Sequence, residues 1–598
     1  MILSHSGWRG VFAASGDEED GTDKIGAAHR IIAAGAAAVF AEYLRGQGGR
    51  GESPLVLAGC DTRPTGRAIA GAMIPVLRAG GCRVRYAGAV AAPEIMAWAR
   101  LSGPEKAAFA YISASHNPVG HNGLKFGLCD GGVLPAEETG KLTAGLRSLL
   151  ASGEGVARLE KLLAEADAAA GDPALLPEAV AGAKRDALKA YFEFSGEVAW
   201  GGPAGGEGIA GILRQNLEKR PLGICCDFNG SARCVSIDSS FFESLGIQFK
   251  AINARPGEIA HRIIPEGSSL DPCRRFLEEL HSADEAFVLG YVPDCDGDRG
   301  NLVIWDSARQ KARALEAQEV FALACVAELS YLVWTGALSP GINGRAAVAV
   351  NDPTSLRIDR IAGFFGVPVF RAEVGEANVV GLARRLREKG YTVRILGEGS
   401  NGGNITHPSA VRDPLHTALA LVKLLSLRTE AGRPGLFEIW CGVSGQKGLY
   451  RPDYSLADIL ASLPPFATTG ADTPEAALKI ACPDHSLLKN RYGEIFLREW
   501  EERKDQLKTR NGIYGWEAAA YNGIDERRGI GAFGDAGRGG LKVYFQNAAG
   551  KDIASIWMRG SATEPVFRVI ADAEGPDGQL ERELIEWQRC MTTEADRS

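Results

Sequence analysis

The chain has 598 residues, which is too many for one hydrophobic core, so several domains are expected. Its 45% hydrophobic and 23% charged residues are ordinary for a globular protein, and a net charge of -8 disfavours general binding to nucleic acid or membrane surfaces. The twelve cysteines form no CxxC pair, which indicates a reducing environment. Because no signal peptide is visible at the start, we expect a cytoplasmic location.

Short β-like runs alternate with Ala- and Leu-rich helical stretches along most of the chain, which predicts α/β layers. Helices are predicted from residue 65 onward and near 159–191 and 315–332, and the glycine-rich run 201–206 is interpreted as a linker. The predicted strands are at residues 54–58, 108–112, 222–226, 287–292, 346–350 and 392–396.

The last hundred residues differ, because two β-rich segments at 541–546 and 553–558 follow one another there. We therefore predict three similar mixed-sheet α/β domains and a smaller α+β domain at the C-terminal end. The predicted bounds are 1–200 with a serine loop, 207–312 with a metal loop, 313–470 with a sugar loop and 475–598 for phosphate binding.

The first stretch that could carry chemistry follows the strand at 108–112. It reads Ser113-Ala-Ser115-His116-Asn-Pro and continues to Lys125. A small hydroxyl in a strand-end loop can act as a nucleophile, and a nearby histidine or lysine can exchange protons with a substrate. Taken alone, these residues also fit an ordinary polar turn ended by proline.

The second stretch follows the strand at 287–292 and reads Asp294-Cys-Asp296-Gly-Asp298-Arg299. Three carboxylates at alternate positions can converge on one hard divalent cation and leave room for a phosphate. The loop is not an EF-hand, because Arg299 stands where glycine is needed and Trp305 where the last glutamate belongs. A solvated acidic loop is the alternative.

The third stretch reads Arg559-Gly-Ser561-Ala-Thr563-Glu-Pro, with Arg568 a few residues later. Two guanidinium groups, two hydroxyls and a turn of backbone N–H groups can form a phosphate-binding site. Solvated or salt-bridged arginines are the alternative when this stretch is taken alone.

Residues 397–402 match the pattern GxGxxG after a predicted strand. A dinucleotide-binding fold would open a helix there and place an acidic residue about twenty positions later. The chain instead continues through His407-Pro408, which breaks a helix, and has no acid near position 420. The sequence that follows the GxGxxG match therefore disfavours a dinucleotide site.

Together and in this order, the stretches resemble the α-D-phosphohexomutase superfamily, which includes phosphoglucomutase and phosphomannomutase. The resemblance covers nearly the whole chain. It rests on the segments 6–10, 61–63, 113–118 with its continuation to Lys125, 294–299, 397–400 and 559–565.

The resemblance implies a heart-shaped monomer or homodimer of four domains around a central cleft. It implies reversible conversion of a hexose 1-phosphate and a hexose 6-phosphate through phosphorylated Ser115 and a 1,6-bisphosphate intermediate. Mg²⁺ would be bound by Ser115, Asp294, Asp296 and Asp298, and glucose 1,6-bisphosphate is the expected activator. The expected partner is a small-molecule sugar phosphate, with no nucleic acid and no membrane.

The remaining roles follow from the same resemblance. Lys125 or His116 would take the proton of the attacking hydroxyl, while Arg9 and Arg299 support the transferring phosphate. Residues that bind the sugar hydroxyls or the distal phosphate are expected at Glu398, Ser400, Arg559, Ser561, Thr563 and Arg568.

Four positions depart from the family pattern. Ser113 replaces the usual threonine, Ala562 and Asn401 stand where glycine is usual, and Ala377 stands where a basic residue is usual. Because positions 377 and 401 lie in the sugar-recognition unit, they bear on the substrate more than on the mechanism.

Glucose phosphate is the first choice of substrate and mannose phosphate the second, with phosphoglucosamine and phosphopentose mutases as alternatives. A non-catalytic sugar-phosphate sensor on the same fold is the alternative from another class. Such a sensor should have lost the serine or a metal carboxylate, yet Ser115 and all three aspartates are present.

Overall fold

The computed structural model describes residues 2–4, 7–47, 53–169, 172–201, 203–340, 345–400, 402–430, 432–560 and 566–598. The chain divides into two compact units. Unit 1 comprises Met1–Trp305, Ala312–Ala314 and Pro408–Ala418, and unit 2 comprises Asp306–Lys311, Leu315–His407 and Leu419–Ser598.

The first sheet of unit 1 has the strand order β1-β2-β6-β5-β3-β4. Its strands are β1 (Ile2–Ser4), β2 (Gly7–Val11), β3 (Leu55–Cys60), β4 (Arg83–Ala89), β5 (Ala108–Ile112) and β6 (His121–Gly127). The helices of this segment are α1 (Ala27–Gln47), α2 (Gly66–Ala79), α3 (Ala92–Arg100), α4 (Ala136–Ala151), α5 (Gly153–Ala168) and α6 (Pro177–Trp200).

The second sheet has the order β11-β10-β9-β7-β8. Its strands are β7 (Gly223–Asp227), β8 (Gln248–Ile252), β9 (Phe287–Pro293), β10 (Gly300–Asp306) and β11 (Lys311–Ala314). The helices are α7 (Pro203–Lys219), α8 (Asp238–Ser244) and α9 (Asp271–Ala283).

The third sheet has the order β13-β12-β14-β15. Its strands are β12 (Val348–Asn351), β13 (Val369–Ala372), β14 (Ile395–Glu398) and β15 (Gly403–Thr406). The helices are α10 (Ala317–Trp334), α11 (Arg357–Phe364), α12 (Glu376–Glu388), α13 (Pro414–Ser426), α14 (Leu436–Val443) and α15 (Leu456–Ala461).

The fourth sheet has the order β16-β22-β21-β20-β18-β19, with β17 also pairing with β22. Its strands are β16 (Phe466–Thr468), β17 (Ala477–Leu478), β18 (Gly515–Asn522), β19 (Asp525–Arg528), β20 (Gly540–Gln546), β21 (Asp552–Gly560) and β22 (Phe567–Glu574). Two helices, α16 (His485–Asn511) and α17 (Gln579–Arg597), belong to this part of the chain.

The first three sheets repeat one topology. The repeated strands are β3 to β6, β7 to β10 and β12 to β15. In each set, the first strand pairs in parallel with the second and the third, and the fourth pairs antiparallel with the third. In the fourth sheet, the strand pairs among the described residues are all antiparallel. The predicted fold class, three similar α/β regions followed by a different α+β region, is confirmed.

The central strands are short apolar runs buried along their whole length. Every residue of β3 and of β5 is buried, as expected for parallel strands covered on both faces. The fourth sheet has its own core, in which Phe496 of α16 and Trp587 of α17 pack together with Phe545 of β20. Burial of these apolar surfaces is what stabilises each layer.

Two features of the predicted organisation change. The linker prediction for 201–206 is wrong for the part described, because α7 begins at Pro203; proline suits the first turn of a helix, where its missing N–H is not needed. The fourth sheet also reaches back before residue 475, since β16 pairs with β22. The predicted domain bounds otherwise stay predictions.

One helix, α10, is long and apolar enough to cross a membrane by length and composition among the described residues. It is 78% buried inside the protein and packs against α11, α14 and β14. These contacts identify it as a core helix of unit 2.

Candidate active site

Three of the predicted stretches occupy the same topological position. The serine loop joins β5 to β6, the aspartate loop joins β9 to β10, and the GExS segment leads from β14 towards β15. In each, the chain leaves the third parallel strand and returns as the antiparallel fourth. Ligands of open α/β sheets bind outside the carboxyl ends of the strands, so each stretch lies where its sheet can form a binding site.

Ser115 adopts a left-handed backbone conformation with φ of 55° in the serine loop. This conformation is uncommon for a residue other than glycine and persists where surrounding contacts impose it. Its N–H donates to Ser113 Oγ at 2.8 Å, and its carbonyl oxygen accepts from Arg63 Nη2 at 2.7 Å. Arg63 is ion-paired with Asp61, so the Asp-Thr-Arg segment orients the serine loop.

The side chains of the serine loop contact the aspartate loop. Ser115 Oγ donates to Asp294 Oδ2 at 2.7 Å, and Ser113 Oγ donates to Asp296 Oδ2 at 3.0 Å. All four residues are buried. Two stretches that are far apart in the sequence therefore form one site within unit 1.

Asp294, Asp296 and Asp298 form what we call the aspartate cluster. Each is at most 1% exposed, and one carboxylate oxygen from each lies within 4.8 Å of the others. Lys125 Nζ donates to Asp296 Oδ2 at 2.7 Å and to Asp298 Oδ2 at 3.4 Å. The Oδ1 atoms of Asp296 and Asp298 are buried without a hydrogen-bond partner in the described part of the chain.

The carboxylates of this cluster perturb one another. Burial and the charges of Asp296 and Asp298 raise the pKa of Asp294 well above its ordinary value. Burial opposes ionisation of Asp296 too, but the ammonium of Lys125 lowers its pKa below the ordinary range. Oxygen ligands at this spacing, two of them with unpaired atoms, fit a hard divalent cation such as Mg²⁺.

Arg412 is a member of this site that the sequence analysis missed. It is buried, and its Nη2 donates to Asp298 Oδ2 at 2.8 Å. The two residues are 114 positions apart, and no motif surrounds Arg412. The single available signal is a basic residue just before Asp413-Pro414, where α13 begins.

Arg9 and Arg299 add positive charge around the serine loop, and His116 lies beside them. Arg9 Nη1 donates to Asn117 Oδ1 at 3.3 Å. Burial, followed by the charge of Arg299, lowers the pKa of Arg9 to about 10. Burial and the charges of Arg299 and Arg9 lower the pKa of His116 well below its ordinary value, and His116 Nδ1 has no hydrogen-bond partner among the described residues.

The GExS segment lies in unit 2, where Glu398 is 3% exposed. Glu398 Oε1 accepts from the backbone N–H of Gly375 at 2.7 Å and from Asn351 Nδ2 at 3.4 Å. Asn351 Nδ2 also donates to Ser400 Oγ at 3.0 Å. Asn351, which the sequence analysis did not single out, therefore fixes the spacing of Glu398 and Ser400; Asn401 lies outside the described residues.

The predicted phosphate-binding residues are described in part. Arg559 of β21 and Arg568 of β22 are directly opposite each other in the antiparallel pair, so their side chains start from the same face. Arg559 Nη2 forms an ion pair with Glu373 Oε1 at 2.8 Å, and Arg568 Nη1 donates to the carbonyl of Ala471 at 2.8 Å. Ser561, Ala562 and Thr563 lie outside the described residues.

Two family models match the chain. The model for phosphoglucomutase/phosphomannomutase, alpha/beta/alpha domain I, matches residues 5–150, and the model for alpha/beta/alpha domain III matches residues 328–434. The first range contains the serine loop and the second contains the GExS segment. The chain belongs to the α-D-phosphohexomutase superfamily.

Curated relatives of the chain include two proteins named phosphoglucosamine mutase. The protein from Methylobacillus flagellatus is 27% identical over 336 residues, which are 56% of this chain and 61% of the relative. The protein from Sodalis glossinidius is 27% identical over 347 residues, which are 58% of this chain and 64% of the relative. The chain thus spans less than two thirds of the length of either relative.

Solved structures share the fold of this phosphohexomutase-superfamily chain. A phosphoglucomutase/phosphomannomutase family protein from Burkholderia thailandensis has a TM-score of 0.57 and 19% identity, over 100% of this chain and 97% of the other. The phosphoglucomutase pp63/parafusin from Paramecium has a TM-score of 0.61 and 14% identity, over 100% and 96%. At these identities the likeness concerns the fold.

The fold also argues against the dinucleotide-binding alternative. After the GxGxxG match, the chain passes into β15, which pairs antiparallel with β14. A dinucleotide site needs the N-terminus of a helix at that point. A strand there leaves no such helix terminus to bind a pyrophosphate.

Proposed function

We propose that the protein is a phosphohexomutase that interconverts a hexose 1-phosphate and a hexose 6-phosphate through phosphorylated Ser115. The observation that carries this proposal is the 2.7 Å hydrogen bond from Ser115 Oγ to Asp294, inside a buried cluster of three carboxylates. A hydroxyl held against metal-ligating carboxylates suits a phosphate carrier. The sensor alternative would need no such arrangement.

Asp294, Asp296 and Asp298 would bind Mg²⁺ together with the Ser115 phosphate. When bound, the cation neutralises charge that develops on the transferring phosphoryl group. Arg9, Arg299 and Arg412 would stabilise the same charge from the protein side. Burial, followed by the charges of Arg299 and Arg412, lowers the pKa of Arg9, and an anion among these arginines would relieve their repulsion of Arg9.

Two side chains, Lys125 and His116, are candidates for the proton acceptor. Lys125 donates to two carboxylates of the aspartate cluster, whereas His116 Nδ1 has no hydrogen-bond partner among the described residues. We therefore propose His116 as the group that takes the proton of the attacking hydroxyl, and Lys125 as a group that holds the aspartates and the phosphate.

In unit 2, Glu398 and Ser400 would bind sugar hydroxyls, while Arg559, Arg568, Ser561 and Thr563 would bind the phosphate that is not reacting. A carboxylate and a hydroxyl can accept and donate hydrogen bonds to a sugar. Glucose phosphate stays our first choice and mannose phosphate the second. The names of the curated relatives support glucosamine phosphate as a further candidate.

We further propose glucose 1,6-bisphosphate as the activator, because it can phosphorylate Ser115 and leave a sugar monophosphate. The proposed partner is a small-molecule sugar phosphate, with no nucleic acid and no membrane. A cytoplasmic location and a monomeric or homodimeric state remain predictions from the sequence.

Intact-mass measurement tests the phosphate carrier. After incubation with glucose 1,6-bisphosphate and Mg²⁺, the protein should gain the mass of one phosphate, and Ser115→Ala should not. The exposed Ser282→Ala is the matched control and should be phosphorylated like the parent protein. Mutase activity in Ser115→Ala beyond a trace would overturn the proposal.

Coupled assays with the 1-phosphates of glucose, mannose, glucosamine and ribose would define the substrate. The expected result is turnover of at least one hexose phosphate, with a lag that glucose 1,6-bisphosphate removes. A protein that binds sugar phosphates without converting any of them would favour the sensor.

A further inference from the structure

The backbone of the aspartate loop is bound from three directions. The carbonyl of Cys295 accepts from Ala232 N at 2.9 Å, and that of Asp296 accepts from Ala92 N at 2.8 Å. The carbonyl of Gly297 accepts from Arg233 Nη1 at 3.2 Å. The first two donors are backbone groups, so Arg233 is the side chain that holds the turn between Asp296 and Asp298.

Arg233 is buried, with 1% of its surface exposed, and its Nε and Nη1 also contact two aspartates. Its Nε donates to Asp238 Oδ1 at 2.8 Å, and its Nη1 also lies 3.1 Å from Asp413 Oδ1. Burial alone would lower the pKa of Arg233, but Asp238 and other neighbours raise it well above the ordinary value. The guanidinium is therefore a fixed, charged group.

The stem of Arg233 also packs on the turn. Gly297 has φ of 69°, a left-handed conformation that glycine adopts without strain. A Cβ atom at Gly297 would lie 2.4 Å from Arg233 Cγ. Glycine at this position thus lets the loop lie directly against the arginine.

A second route links Arg233 to the cluster. Asp413, which accepts from Arg233, is adjacent in sequence to Arg412, and Arg412 donates to Asp298. Arg233 therefore acts on the loop directly at Gly297 and, through the segment 412–413, at Asp298. Tyr191 completes this network, since its hydroxyl donates to Asp413 Oδ2 at 2.6 Å.

We propose that Arg233 is a positioning residue that holds the aspartate loop so that Asp296 and Asp298 face one divalent cation. This inference rests on the proposed metal site. Groups behind metal ligands commonly change metal affinity by roughly 10–100-fold when they are removed, because they hold the ligands in one geometry. No contact of Arg233 with the cation or the substrate is required.

The test uses the full-length protein and Mg²⁺ alone, measured by isothermal titration calorimetry. Arg233→Lys keeps a positive charge beside Asp238 and Asp413 but lacks the planar fork that serves Asp238, Asp413 and Gly297 together. We expect its Mg²⁺ dissociation constant to rise roughly 10–100-fold. The exposed Arg255→Lys in the same unit is the control and should bind like the parent protein.

Two results would overturn the inference in distinguishable ways. Parent protein that binds no Mg²⁺ removes the metal site and this inference with it. Parent protein that binds Mg²⁺, with equal affinity in folded Arg233→Lys, removes only the positioning role.

If Arg233→Lys does not fold, Asp238→Asn replaces it. The asparagine keeps the size of Asp238 but loses the charge that holds Nε of Arg233, so Mg²⁺ binding should weaken severalfold. Unchanged affinity in this variant would likewise overturn the inference.

Discussion

Two buried charge clusters, one in each unit, are built in opposite ways. In unit 1, the aspartate cluster pairs with Lys125 and Arg412 through Asp296 and Asp298, and two of its carboxylate oxygens have no hydrogen-bond partner among the described residues. In unit 2, Glu328 faces Arg394 and Lys423, at 2.7 and 2.6 Å, and both of its oxygens are occupied. We call the second group the glutamate cluster.

The difference separates a binding site from a structural ion pair. Burying a charge is costly unless it is paired and hydrogen-bonded, and the glutamate cluster meets this condition with its own side chains. The aspartate cluster leaves carboxylate atoms to be satisfied by a ligand. Carboxylate oxygens without a hydrogen-bond partner, rather than burial or charge alone, therefore distinguish the site that we propose to be functional.

The largest expected effect comes from Asp294→Asn in the aspartate cluster. Asparagine keeps acceptors and donors for Ser115 Oγ and Arg299 N–H but removes one anionic ligand. Mutase activity should fall roughly 10²–10³-fold or more, and Mg²⁺ binding should be lost. The metal-free protein should melt at a higher temperature, because burial and the repulsion by Asp296 and Asp298, which raise the pKa of Asp294, no longer act on a charged group there.

Steady-state assays, calorimetry and thermal melts check the three parts of this prediction. A melting temperature that falls in metal-free Asp294→Asn would mean that the aspartate cluster is a closed, structural group like the glutamate cluster. Full activity would mean that Asp294 is not a metal ligand.

The next effect comes from Glu328→Gln, the same chemical change in the glutamate cluster. Here the substitution leaves Arg394 and Lys423 buried without a carboxylate, and breaking a buried pair in this way costs about 3–5 kcal/mol. Unit 2 should unfold at a lower temperature or denaturant concentration, while Mg²⁺ binding stays unchanged. Chemical denaturation followed by circular dichroism measures the loss.

Glu517→Gln provides the control for Glu328→Gln. Glu517 pairs with Arg528, and both side chains are about one third exposed. Its loss should cost about 1 kcal/mol or less, because exposed ion pairs contribute little. Equal destabilisation by the two substitutions would contradict the distinction between buried and exposed pairs.

The sequence predicts the fold well where buried apolar runs set the elements. Residues 108–112 are predicted as a strand and form β5, because five consecutive buried residues can pack in a covered sheet. The strand predicted at 392–396 is found at Ile395–Glu398 instead. Its end is a buried glutamate that hydropathy does not indicate, and a hydrogen bond from the backbone of Gly375 compensates its burial.

The candidate active site is predicted only in part, because the sequence displays local motifs but not contacts between residues distant in the chain. Ser115 and the aspartates stand in short local motifs, which a sequence displays directly. Arg412, Asn351 and Arg233 act through contacts with residues distant in the sequence, such as the pair of Arg412 and Asp298. Single arginines and asparagines are common, so their pattern contains no signal of these contacts.

A smaller effect is expected at Arg559, whose ion pair with Glu373 is partly exposed. If Arg559 binds the distal phosphate, Arg559→Ala removes a charged hydrogen bond of about 1.5–3 kcal/mol, so KM should rise about 10–100-fold. The increase should be similar for the 1-phosphate and the 6-phosphate, because the clamp recognises the phosphate rather than the sugar carbon. Initial rates in both directions measure it.

Arg528→Ala is the matched control for Arg559→Ala. Arg528 is also a β-strand arginine in unit 2 with acidic partners, Glu517 and Asp552. Its loss should leave KM unchanged in both directions. An effect of Arg559→Ala confined to one direction would contradict a phosphate site shared by both substrates.

The smallest effect concerns Lys423 and pH. Burial lowers the pKa of Lys423 to about 8, although Glu328 opposes the shift. Because an unfolded lysine titrates near 10.4, the unfolded chain binds more protons between these values, and stability contributed by this group rises with pH. The unfolding free energy of the parent protein minus that of Lys423→Met should therefore increase by about 2 kcal/mol or less from pH 7.5 to 9.5.

The groups that face Lys423 do not produce this change themselves. Burial opposes the ionisation of Glu328, but the charges of Arg394 and Lys423 lower its pKa below the ordinary value, so Glu328 stays ionised. Burial raises the pKa of Tyr331 above its ordinary value. Lys504→Met on the exposed face of α16 is the control, and its difference from the parent should not change in this direction over the same range, because a partner raises rather than lowers the pKa of Lys504. Thermal melts at four pH values decide the matter. A difference that shrinks with pH would mean that Lys423 is stabilised as a cation, and that the glutamate cluster gains from its second positive charge instead of bearing a cost for it.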